Sequence, residues 1–164
     1  MAPALNRNLS DLGALLHLVD PTLPIGGFNH SNGLETFVQQ GIVENKATLE
    51  EYVQTQLLQN WVYNDGAYLS LAFEAMADND FERLCELDYS LSATKIARES
   101  REGSFKLGVR LLKIFIRYEQ HPMLSQFQQA IQNKTVQGYF PIVFAMVAQV
   151  MGLSKADTLY AFYY

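Results

Sequence analysis

"KIARESREGSFKLGVRLLKIFIRY" occupies Lys95 to Tyr118. On a helical wheel of about 100° per residue, Ile96, Leu107, Leu111, Ile114, Phe115 and Tyr118 form an apolar stripe. Lys95, Lys106, Arg110, Lys113 and Arg117 form a basic stripe along one edge of it. Glu102 stands four residues before Lys106, the favourable orientation for a helical ion pair. The spacing predicts one long helix over the whole segment, with Gly103 and Gly108 inside it and His121-Pro122 ending it. Three readings fit the basic stripe: a solvated face, a surface for an acidic partner, or a contact with an acidic part of the same chain.

The rest of the 164-residue chain supplies such an acidic part. Net charge is -5 overall, but residues 1–90 carry thirteen acids and three bases, whereas residues 91–164 carry nine bases and four acids. This asymmetry suits association within the fold or across an oligomer interface. Nucleic acid is not the expected partner: the isoelectric point is near 5.1 and no aromatics interleave with the basic stripe. Hydrophobic residues make up 49%, enough for a continuous core, and a mean hydropathy of -0.03 predicts a soluble chain. The first twenty residues mix Arg7, Asp11, His17 and Asp20 among apolar residues, unlike a signal peptide. "YFPIVFAMVAQVMGL" is interrupted by Pro141 and Gln149 and reads as a buried core helix, not a membrane span. The single cysteine, Cys85, excludes an internal disulfide and suits a reducing cytoplasm.

Helical periodicity recurs along the chain. Leu12, Leu15, Leu16 and Val19 share one face of a first helix, stopped at Asp20-Pro21. Asn32-x-x-Glu35 and Thr48-x-x-Glu51 resemble capping boxes, and Gly41 a helix C′ residue. Leu49, Tyr52, Val53, Leu57 and Trp61 mark the second box's helix, with a break or kink at Asn64-Asp65-Gly66. After an Asp78-Asn79-Asp80 turn, Phe81, Leu84, Leu87 and Leu91 mark another helix. Shorter ones are expected near 124–133, 141–151 and 155–164, the last capped by Ser154-x-x-Asp157. The expectation is an all-α single domain over 1–164, a bundle of about eight helices with short connections. "TLYAFYY" ends on apolar residues with no C-cap; it either packs in the core or continues, and a shortened C-terminus is the expectation.

Catalytic motifs fail one by one. "DPTLPIGGFNHSNGLETFVQQG", Asp20 to Gly41, is a glycine-rich turn before a helix, but no P-loop lysine follows and the glycines lack dinucleotide spacing. A tight turn needing φ > 0 or close backbone approach is the reading it supports. His17, His30 and His121 have no partner at metal-ligand spacing. Asp78-x-Asp80-x-Glu82 lacks the calcium loop's glycine and final acid. Cys85 lies between Leu84 and Leu87 and reads as packing. No catalytic residue, metal ligand or cofactor is therefore assigned.

"LLHLVDPTLPIGGFNHSNGLETFVQQGIV" closely resembles the N-terminal signature of the UreF family of urease accessory proteins. "ATKIARESREGSFKLGVRLL" looks like that family's central helix, and "PIVFAMVAQVMGLSKADTLYAFYY" is similar to its later segment. Two departures stand out. Tyr139 replaces a histidine common in the family, and the family's further C-terminal segment is absent. The resemblance implies an all-α, non-enzymatic, cytoplasmic scaffold. It implies that the scaffold joins UreD (UreH in some bacteria) and the GTPase UreG on the urease apoprotein, so that nickel enters the urease active site. It also implies a homodimer, no cofactor, no nucleic acid and no membrane. Candidate partner or dimer contacts are Pro24, Gly26, Gly27, Phe28, Ser31, Gly33 and Glu35 in the first motif. In the central helix they are Arg98, Glu99, Arg101, Lys106 and Arg110. Two rivals remain: a helical-bundle enzyme using scattered residues such as His17, His30 and Glu35, and a GTPase-activating module with Arg98 or Arg101 as an inserted finger.

Overall fold

The computed structural model describes residues 9–27 and 33–164, and among these there is no strand. The α-helices are α1 (Leu9–Leu18), α2 (Leu34–Gln39), α3 (Lys46–Thr55), α4 (Ala67–Ala77), α5 (Phe81–Thr94), α6 (Arg98–Phe115), α7 (Pro122–Gln132), α8 (Phe140–Val150) and α9 (Lys155–Tyr163). A π-helical segment, Gln56–Gly66, joins α3 to α4, so Lys46 to Ala77 is one rod and the described helices form eight separate rods. The break expected at Asn64-Asp65-Gly66 is thus a change of winding: the rod runs through it.

α8 is the centre. Every side chain from Ile142 to Ala148 is buried, which a helix tolerates only when neighbours cover all its faces. Those neighbours are α4, α6, α5 and α9. Leu84, Leu87 and Leu91 of α5 are buried, and so is Phe127 of α7, as the spacing on α5 requires. Burying a side chain of this size stabilises the fold by about 1.5–3 kcal/mol. Among the described residues no helix is long and apolar enough to cross a membrane.

The caps show which local signals were followed. Ser154 accepts the Asp157 N–H at 3.1 Å, starting α9 where its sequence predicts. His121 Nδ1 accepts the Met123 N–H at 3.3 Å, with Pro122 in the first turn, where a missing N–H costs nothing. The Thr48-x-x-Glu51 box is displaced by three residues. Asn45 is the N-cap, accepting from Ala47 and Thr48 N–H, while Thr48 Oγ1 accepts the Asn45 N–H at 3.1 Å. Asn32 lies outside the described residues; α2 instead has Gly33 at its N-cap, with φ 94°. The central helix is shorter than expected. Lys95 caps α5 and Ala97 caps α6, so Lys95 and Ile96 lie outside the helix, and Ile96 is 88% exposed. The two residues turn because Lys95 Nζ is drawn to Asp65 in the π segment, 2.7 Å away in a largely buried ion pair. On α1, Leu15 and Leu18 face the core, while Leu12 and Leu16 are exposed.

Candidate partner-binding site

Two of the sequence's candidate clusters meet on α6. Leu23 and Ile25 pack against the core and fix the ends of the Pro24 turn, while Pro24 faces outward. Gly26 follows with φ 77°. Arg110 Nη1 donates to the Ile25 carbonyl at 3.1 Å, joining the central helix to a turn 85 residues away. A Cβ on Gly26 would collide with that guanidinium. The demand for glycine belongs to Gly26, through its positive φ: a Cβ on Gly27 would meet Ile25 and Leu107 at an ordinary 3.9 Å. Arg110, a candidate partner contact, hydrogen-bonds its own chain and stays exposed. Phe28 and Ser31, like His30, lie outside the described residues. Gly33 and Glu35 open α2, whose described residues are all at least partly exposed.

Along the outer edge of α6, Arg98 Nε donates to Glu102 at 2.7 Å and Lys106 Nζ to its other oxygen at 3.3 Å. The expected Glu102–Lys106 pair is present, and Arg98 shares the carboxylate. Hydrogen bonds first from Arg98, then from Lys106, hold Glu102 below the usual carboxylate range. Glu99 is exposed in the first turn. Arg101 turns inward: Nη1 donates to the Lys95 and Ile96 carbonyls at 2.7 and 2.6 Å, satisfying the backbone of the link between α5 and α6. Lys113 and Arg117 are exposed farther along.

Sequence reasoning missed Asp88. It is fully buried on α5, and its carboxylate accepts backbone N–H groups of Gln137 (2.6 Å), Gly138 (3.0 Å) and Tyr139 (2.8 Å). Burial pushes its pKa up, against the pull of those three donors. The signal was available: Asp88 sits inside the Leu84-Leu87-Leu91 stripe, where an acid needs buried partners. The loop it holds also rests on α6. A Cβ on Gly108 would collide with the Gly138 carbonyl and lie 3.0 Å from the Phe140 nitrogen. Gly108 therefore lets α6 touch the backbone that leads into α8. Tyr139 is buried as the N-cap residue of α8 and borders a cavity of about 220 Å³ with Asp88, Ser92 and Arg101.

The remaining candidates do not converge. His17 is exposed, its ring 5.3 Å from Phe115, and Glu35 is exposed on α2; neither borders the Asp88 cavity. Cys85 is half-buried against the core, and burial raises its thiol pKa. Among the described residues no three His, Cys, Asp or Glu side chains are grouped to hold a metal ion.

The family model described as UreF matches residues 43–164. The whole chain is 84% identical to the urease accessory protein UreF of Haemophilus influenzae (strain ATCC 51907 / DSM 11121 / KW20 / Rd), covering 70% of that relative. Over 156 residues, 95% of this chain, it is 79% identical to UreF of Actinobacillus pleuropneumoniae serotype 5b (strain L20), covering 69% of it. Over 148 residues it is 36% identical to UreF of Lachnoclostridium phytofermentans, covering 65% of that relative.

Proposed function

The chain belongs to the UreF family, and from that premise we propose that it serves urease maturation as a non-enzymatic scaffold. In this reading it joins UreD or UreH and the GTPase UreG on the urease apoprotein, as a cytoplasmic homodimer, so that nickel is inserted into the urease site. The observation that carries the reading is the 84% identity over all 164 residues to a urease accessory protein. The geometry supports a scaffold over a GTPase-activating finger. Arg101 is committed to two carbonyls of its own chain and Arg98 to Glu102. A finger must be free to reach the transferring phosphate.

Co-purification with the cognate UreD or UreH, UreG and apo-urease tests this. The expected outcome is a stable complex whose omission of this chain leaves urease without nickel. Full nickel loading and activity without the chain would sink the scaffold role. Single-turnover GTP hydrolysis by UreG should be unchanged in Arg98→Ala; a large loss would restore the finger.

A further inference from the structure

We propose that the exposed basic edge of α6 is a docking surface for an acidic helix of a partner protein. This names a partner chemistry that the maturation role leaves open, and it stands without that role. Lys106, Arg110, Lys113 and Arg117 are all exposed. At about 100° per residue, their i, i+4, i+7 and i+11 spacing keeps them within about 60° of one another. Arg117 lies just past the helix, but its N–H still bonds back to the Ile114 carbonyl at 3.3 Å, so it continues the row. From Gly103 to Tyr118 the chain has no acid, although its acids outnumber its bases by 17 to 12. Lys106 shares Glu102 with Arg98. Among the described residues no carboxylate pairs with Arg110, Lys113 or Arg117, so the acidic part of the same chain does not neutralise the row. The helix dipole favours a base in the last turn, where Lys113 stands, but it does not reach back to Lys106 and Arg110. Like charges at i, i+4 repel, and an opposing row of carboxylates relieves that repulsion.

Charge and spacing together select the occupant. A helix with carboxylates at the same intervals sets an acid against each base along a row of about 16 Å. Arg110 is already oriented for this. Its Nη1 holds the Ile25 carbonyl at 3.1 Å, and a guanidinium has further N–H groups to offer a carboxylate. A second copy does not match. The same face would bring base against base, which like-charge juxtaposition disfavours. No described helix of this chain carries three acids at i, i+4 and i+7.

Two fluorescein-labelled synthetic helical peptides of one composition test this. One carries its glutamates in a single i, i+4, i+7, i+11 row, and the other spreads them around the helix. Each is titrated with the full 164-residue chain while its anisotropy is followed. The row peptide should bind saturably, about tenfold tighter than the spread peptide, and weaken with salt. Lys113→Glu/Arg117→Glu should lose that binding with unchanged circular dichroism, and Lys113→Gln/Arg117→Gln should weaken it by less. Lys46→Glu/Lys134→Glu makes the same change of net charge at exposed sites off α6, and should leave the affinity within about threefold. If the glutamate variant of the row unfolds, the glutamine variant still decides. No saturable binding, equal affinity for the two peptides, or an equal loss from both charge-reversed pairs would overturn the proposal. So would a dimer in light scattering that Lys113→Glu/Arg117→Glu alone dissolves, since the occupant would then be a second copy.

Discussion

α8 and α3 are nearly equal in length and opposite in their dealings with water. α8 hides every side chain from Ile142 to Ala148, whereas α3 hides none. Both carry apolar residues, so hydrophobicity alone does not decide burial. α8 is apolar on all faces, and α4, α5, α6 and α9 close around it. α3 carries two exposed apolar residues on a largely polar helix, packs Tyr52 on Phe37 of α2 and continues into the rod. One region is built to fold the chain. The other is held out by it, and its stability comes from caps and the rod.

Several substitutions put that contrast at risk. The largest effect is expected at Phe127, fully buried beside the core. Phe127→Ala should cost about 3–5 kcal/mol, read as a loss in denaturant melts. A cost near zero would mean the centre is loosely packed.

Asp88→Asn should come next, at about 1–3 kcal/mol, because an amide presents its own N–H groups to three backbone donors. It also carries a pH signature. The folded pKa of Asp88 is raised, so the native state binds its proton more tightly than the unfolded chain. Its contribution is therefore fully present below the ordinary value of 3.8 and is lost as pH rises through the raised folded value. The stability of the parent relative to Asp88→Asn should fall across that window as pH rises. A flat difference would show that the three hydrogen bonds cancel the burial.

The smallest effect belongs to the arm. Val53→Ser should change stability by no more than about 0.5 kcal/mol, as for exposed sites away from special features. A cost of core size would show that α3 is buried in the folded protein after all, and the contrast would collapse.

What could be read from the sequence follows the same divide. The helices of the centre were legible because apolar residues recur there at helical spacing, as in Leu84, Leu87 and Leu91 or the run from Pro141. The ends of elements were legible where a side chain caps locally, as at Ser154, whereas His121-Pro122, expected to end the central helix, starts α7 and the central helix stops earlier, at Phe115. They were misplaced where a distant group competes: Lys95 leaves the expected helix for Asp65, from another rod. In the candidate site, the Gly-Gly turn was recognisable, but its demand falls on Gly26, the glycine of the pair with a positive φ, 77°, against which the end of Arg110 also rests. No local pattern states which of two adjacent glycines a residue 84 positions later will touch. Leu49 and Val53 marked α3 as a helix without showing that they stay exposed, since periodicity reports amphipathicity and not whether a neighbour arrives.

The π winding of Gln56–Gly66 has a geometric consequence for that arm. A π turn closes its hydrogen bonds one residue later than an α turn, so each such turn shifts the angular phase between the rod's two ends. The compass bearing of Leu49 and Val53, relative to α4 and the body, is thus written in how the intervening residues are wound. Tyr163 guards that setting: its hydroxyl donates to the Trp61 carbonyl at 3.2 Å and rests where Gly66 has no side chain. The last helix of the chain acts as a set-screw on the azimuth of one of its first.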